Sequence, residues 1–468
     1  MTSNERFRRL IIWVSILAVA AFAVMAQRMR DHEEPAAADA VAEEAAAVAP
    51  VSLQTELAAK MTFALHRLAP TMPPAQILTQ AEALKDGAFS DRLAYSVLVG
   101  AIEGWEAGAD DARKAPLPEV AVEPARALRD RVIAVMERNA ERGEDAMTPE
   151  DRDSVEAVRS SLGDVADVLL PEGPAEATAT VVAMVAAAGW YIAAFLGGLC
   201  VLAVGFVLLA AGKIRPSFAP VSNAHHALIL GEAFLLWIVL FLGLNIGSAL
   251  LLPALGDSAP ELLPLAVSIG CFFASLLAAL GYPLARGMSA REVRQAIGLH
   301  RGAGFAKEAF AGVLCYLSAV PLLAAGLVVF AILSMIAKLL EGPTAPPSHP
   351  AVEMLGGAGA GRILMLFLLA SVTAPIVEEI MFRGFLYGHL RGSCAPRIRV
   401  ASMIVAALAS SVVFAIIHPQ GVLFVPALGG LAVGFCLFRE VRGSLVAPMV
   451  AHGINNAVTL TLGLTLLS

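Results

Sequence analysis

The sequence predicts an all-α, polytopic membrane protein, and three features predict it: composition, the length of the apolar runs, and the placement of Arg and Lys. Of 468 residues, 58% are hydrophobic and 16% charged, with a mean hydropathy of +0.73, too apolar for an ordinary soluble chain of this length. Apolar runs long enough to cross a bilayer recur along the chain. The basic residues stand in short clusters beside those runs, where they act as topology signals.

Charge divides the chain. Between Asp31 and Glu176 lie 29 acidic and 13 basic residues, and the remainder carries 11 acidic and 20 basic, so the formal net charge of -7 averages two differently charged parts. No basic face suited to nucleic acid is present. The five cysteines, Cys200, Cys271, Cys315, Cys394 and Cys436, lie in or beside apolar segments. The acidic region therefore has no disulfide framework, and the chain has no CxxC metal site.

The first run, Leu10 to Ala26, follows Arg6, Arg8 and Arg9 and is long enough to span a bilayer, which makes residues 1–30 a signal-anchor helix with a cytoplasmic N-terminus. A cleaved signal peptide ending at Val24-Met25-Ala26 is the rival reading, and either one exports the segment that follows. Residues 31–178 form the exported, acidic, helical region. Its opening, Glu33 to Pro50, is Ala/Glu/Pro-rich without periodicity and is expected to be a disordered linker. From Leu53 apolar residues recur at helical spacing, in Leu57, Met61, Ala64, Leu65 and Leu68 and again in Leu128, Val132, Val135 and Met136. Pro73-Pro74, Pro116, Pro118, Pro149 and Pro171 break that pattern into short helices. His66 is the region's one histidine beyond the linker and belongs to no catalytic cluster; residues 53–175 are a candidate surface for an exported-side partner.

Beyond Pro174 come apolar runs at about 181–211, 226–252, 262–285, 308–337, 362–390, 400–418, 421–438 and 444–467. With the anchor these predict about nine crossings in a plasma membrane, helices two to five in 179–355 and a catalytic transmembrane domain in 356–468. Loop charges agree on a topology. Lys213/Arg215, then Arg286, Arg291, Arg294, Arg301 and Lys307, then Arg391, Arg397 and Arg399, then Arg439 and Arg442 all fall on the cytoplasmic side; Asp257, Glu261 and the Pro343–Pro350 loop fall outside.

Ionisable groups inside apolar helices cost several kcal/mol unless paired or functional. Glu378 and Glu379 stand in the middle of the 362–390 run. Glu379 and Arg383, four apart, share a helical face and can pair; Glu378 is turned about 100° from its neighbour and is left to act as a base. Phe414 and His418 close the next run, with Pro419 after them. His452 and Asn456, again four apart, project from one face of the last helix and suit a developing oxyanion. The bland alternative is interhelical hydrogen bonding by one polar group per helix, but three such groups on three helices within about eighty residues argue for a site. His225-His226 is an expected interfacial pair, and His300 and His389 are expected to face water among basic residues. The glycines from Gly356 to Gly361 lack the Lys-Ser/Thr of a phosphate loop.

Read as EExxxR (Glu378, Glu379, Arg383), FxxxH (Phe414, His418) and HxxxN (His452, Asn456), these residues resemble the CPBP family of intramembrane proteases, which includes the prenyl-CAAX endopeptidases and bacteriocin-processing or immunity proteins. The resemblance covers about 362–468. It implies that Glu378 with His418 activates the attacking water, that His452 and Asn456 stabilise the tetrahedral oxyanion, and that Glu379 and Arg383 hold the geometry. The substrate implied is a membrane polypeptide or lipopeptide. The family has been called metalloproteases, yet no HExxH is present; metal-free catalysis is expected, with zinc on Glu378, His418 and His452 as the alternative. Two other classes stand beside it: a non-catalytic scaffold or immunity factor, and an ion-coupled transporter.

Overall fold

The computed structural model of the protein describes residues 7–16, 18–19, 21, 25, 50–51, 53–119, 121–142, 147–171, 173, 177–258, 260–341, 354–355, 358–393 and 399–467. Every regular element among them is helical. The linker expected before Pro50, the Pro343–Pro350 loop, Cys394 and Arg397 lie outside the described residues. The chain divides into two compact units, Glu33–Ala188 with Leu462–Ser468, and Met1–His32 with Gly189–Thr461.

The first unit is a small helical assembly. Its principal helices are α1 (Leu53–Leu68), α2 (Phe89–Glu103), α3 (Trp105–Lys114), α4 (Val122–Arg142) and α5 (Pro149–Leu162). They enclose one apolar core that includes Ala59, Phe63, Leu93, Leu98, Val132, Val135 and Met136. On α1 the buried side is turned from the expected stripe: Ala59 and Phe63 are buried whereas Leu68 is 60% exposed. Lys60, also buried on this helix, meets Asp164 at 2.7 Å. Helix α5 starts where Pro149 predicts, capped by Thr148. Hydrogen bonds from the Thr148 backbone and hydroxyl hold the Asp151 carboxyl below the usual carboxylate range.

The second unit is built from long apolar helices, of which the first and the last include residues 177–188 and 462–467 that count with the other unit. They are α6 (Ala177–Ala210), α7 (Ala224–Leu251), α8 (Leu263–Ala285), the short α9 (Ala290–Ile297), α10 (Phe305–Glu341), the composite α11 (Ala360–Ser393), α12 (Arg399–Ile416), α13 (Val425–Arg442) and α14 (Val446–Leu467). Among the described residues six stretches are long and apolar enough to cross a membrane: Val182–Ala210, Ala224–Leu255, Leu263–Ala285, Phe305–Ala337, Ala360–Ser393 and Val422–Arg442. The chain is a polytopic all-α membrane protein. The expected nine is reached only by adding three weaker members. Helix α12 is apolar but short, α14 is diluted by His452, Asn455 and Asn456, and the N-terminal run is helical over residues 7–16 but only partly described.

Packing in this unit centres on α11. Phe382 on α11 meets Phe234 and Trp237 of α7 with ring centroids 5.4 and 5.7 Å apart, and Phe414 of α12 at 5.1 Å. Helices α10 and α13 run closely together because small residues let their backbones approach; a Cβ at Gly434 would stand 2.7 Å from that of Ala319, and one at Gly430 would strike the Leu322 carbonyl. His389 corrects an expectation. It is fully buried rather than water-facing, because Gly231 of α7 has no side chain where the ring sits and the Ala227 carbonyl accepts from its Nδ1 at 2.6 Å. His300 is exposed as expected.

Candidate active site

Two π-helical stretches, Leu369–Thr373 and Ile380–Leu386, flank Ala374–Glu379 on α11, and such widened turns recur at functional sites. Pro375 contributes to the first. The Ala374 N–H reaches back five residues to the Leu369 carbonyl; the equivalent partner for Ala370 is Pro375, which has no N–H. The Ala370 carbonyl is thus released from the helix, and the Asn456 side-chain amide donates to it at 2.8 Å.

Glu379 and Arg383 form the pair their spacing suggests. Both side chains are fully buried, and Arg383 donates to Glu379 Oε1 at 2.9 Å. The guanidinium also donates to the Ala432 carbonyl at 3.3 Å and lies 4.5 and 5.1 Å from the ring centres of Phe414 and Phe435. The aromatic faces and the shared carboxylate offset the cost of taking the cation out of water. The same Glu379 oxygen accepts from His452 Nδ1 at 2.9 Å, so one carboxylate orients both the arginine and a histidine.

Glu378 faces the other way, toward both imidazoles. His418 Nε2 and His452 Nε2 each lie 3.7 Å from Glu378 Oε2, an oxygen that is buried and has no direct hydrogen-bond partner. The far nitrogen of each ring fixes its tautomer. His418 Nδ1 faces the Phe414 carbonyl at 2.6 Å, which can only accept, so Nδ1 carries the proton. His452 Nδ1 faces a carboxylate. In the neutral rings both Nε2 lone pairs therefore converge on a carboxyl oxygen. Each 3.7 Å separation from Glu378 Oε2 is too long for a direct hydrogen bond and suits a shared water or proton. Phe414 frames the cluster, its ring centre 4.2 Å from that of His418 and 5.8 Å from that of His452.

The structure thus brings together Glu378, Glu379, Arg383, Phe414, His418 and His452. Asn456 joins them differently from its expected direction: its amide donor is engaged with Ala370 on α11, and its Oδ1 accepts from Asn455 at 3.2 Å. Sequence reasoning missed Phe435, which stacks on His452 at 5.5 Å, and the Ala432 and Ala370 carbonyls. Neither carbonyl leaves a mark in side-chain identity, though Pro375 five residues after Ala370 was a usable signal. For a tetrahedral zinc, bonds of about 2.0–2.2 Å set the ligand atoms about 3.4 Å apart. The donor types here suit zinc, but the 3.7 Å separations are wider, and among the described residues no three His, Cys, Asp or Glu groups are disposed to hold a metal ion.

Residues 360–458 match a family model described as type II CAAX prenyl endopeptidase Rce1-like. The chain is also 29% identical over 97 residues to the membrane-embedded CAAX protease MroQ of Staphylococcus aureus (strain USA300), a stretch that makes up 21% of this chain and 38% of that protein. No solved structure matches the chain.

Proposed function

We propose, from the premise that residues 360–458 form a domain of the CPBP family of CAAX-type proteases, that this chain hydrolyses a peptide bond of a membrane-associated polypeptide or lipopeptide. The observation that carries the reading is the convergence of two imidazole Nε2 atoms on Glu378 Oε2. A water held there donates one hydrogen to His418 Nε2 and gives the other proton to Glu378 as its oxygen attacks the scissile carbonyl. The C–N bond then breaks, and the leaving nitrogen takes the proton from Glu378. His452 stands between two carboxylates, and when it carries a proton its Nε2–H serves the oxyanion. Asn456 acts by holding α14 to α11, and Glu379 with Arg383 sets the position of His452.

In the same proposal the N-terminus and the basic loops are cytoplasmic and residues 31–178 are extracytoplasmic, where the helical region of 53–175 meets its partner. A proteomic comparison of membrane fractions from cells carrying wild type or Glu378→Gln tests the reading. Uncut membrane polypeptides should accumulate in the variant. Identical peptide profiles would contradict hydrolysis and favour a scaffold, and stoichiometric zinc with chelator-sensitive cleavage would replace the metal-free mechanism.

A further inference from the structure

Between the spans Leu263–Ala285 and Phe305–Ala337 the chain forms α9 (Ala290–Ile297), a short helix with two unlike faces. Val293, Ala296 and Ile297 are buried, while Arg291, Arg294 and Gln295 are exposed and, with His300, line a cleft of 560 Å³. Neither arginine has a carboxylate partner among the described residues. The one acidic side chain on the helix, Glu292, is turned to its N-terminus. There it accepts from the Ser289 hydroxyl at 2.7 Å and backbone N–H at 2.8 Å, bonds that hold its carboxyl below the usual range.

We propose that this cleft binds the phosphate of an anionic phospholipid headgroup. Two guanidiniums, an amide and an imidazole in one concavity suit a phosphate oxygen cluster. The lipid source follows from position. The loop joins two membrane-crossing stretches and so lies at the membrane surface, and just past the cleft Phe305 and Phe310 are 68% and 66% exposed, placed to meet acyl chains. Basic pockets at the ends of transmembrane helices are suited to such headgroups. The buried face of α9 also touches the helices of the candidate active site: the Ala296 carbonyl accepts from Arg439 at 3.3 Å, Arg439 donates to the Arg383 carbonyl at 3.3 Å, and the Leu445 N–H reaches Gly298 at 3.0 Å. An occupied cleft thereby steadies the turn that carries Arg383.

The test uses the full chain in nanodiscs of phosphatidylcholine with or without phosphatidylglycerol, and measures by native mass spectrometry which lipid stays bound. Wild type should retain phosphatidylglycerol over phosphatidylcholine by about tenfold or more, and Arg291→Gln/Arg294→Gln should abolish that preference while melting at the wild-type temperature. Equal retention of both lipids, or a preference unchanged in the double variant, would overturn the proposal. Glycerol phosphate binding as tightly as the intact lipid would overturn the lipid assignment. A double variant that keeps its lipid preference but needs more peptide for half-maximal cleavage would show a peptide carboxylate site instead. The binding result does not depend on whether the chain is a protease.

Discussion

At the scale of residues, two adjacent glutamates do different work because a helix turns them apart by about 100°. Glu379 is sealed between Arg383 and His452, while Glu378 has one buried oxygen aimed at two imidazoles. Removing the Glu379 charge leaves Arg383 buried without a counter-ion, a loss of about 3–5 kcal/mol for such sites. Glu379→Gln should therefore lower the unfolding temperature and activity together, and Glu379→Leu/Arg383→Leu should recover much of the stability with none of the activity. Thermal unfolding in detergent checks both. If Glu379→Gln unfolds like wild type, the ion pair does not hold this site. Sequence spacing was enough to pair Glu379 with Arg383, but not to show that His452 would share the same oxygen. That contact joins residues 73 positions apart and exists only once α14 packs on α11.

At the scale of elements, the runs expected from 181 onward all appear as helices, because apolar length is a local property. The interruptions within α11 were less legible. Pro375 is a helix-breaking residue within the run, yet the first widened turn, Leu369–Thr373, leaves the Ala370 carbonyl to a partner on another helix. Asn456→Leu removes that partner from the half-buried Ala370 carbonyl, a loss of about 0.5–1.5 kcal/mol for a typical hydrogen bond. Amide hydrogen exchange across 369–380 should rise in this variant, with a fall in cleavage. Unchanged exchange would show that Asn456 does not support the turn, and would return it to the oxyanion role its spacing with His452 suggested. His389 was misjudged for a related reason: neighbouring arginines imply water, whereas Gly231 on α7 provides a buried seat that no local pattern reveals.

At the scale of the whole molecule, charge along the chain orders the loops but does not by itself show which side of the bilayer they occupy. The proposed topology predicts that a cysteine introduced at Asp153 reacts with an impermeant maleimide in intact cells, and one at Arg291 only after lysis. Labelling of both positions from one side would refute it. The central claim is that Glu378, placed by α11 against His418 from the turn after α12 and His452 from α14, moves the proton that makes water a nucleophile. Its most direct test is the single-turnover cleavage rate of a membrane-tethered reporter peptide by purified Glu378→Gln, measured beside its melting temperature. A rate at least about a hundredfold below wild type is expected, as loss of a general base commonly costs two to four orders of magnitude, with the melting temperature unchanged. Cleavage by the variant within tenfold of wild type would contradict it.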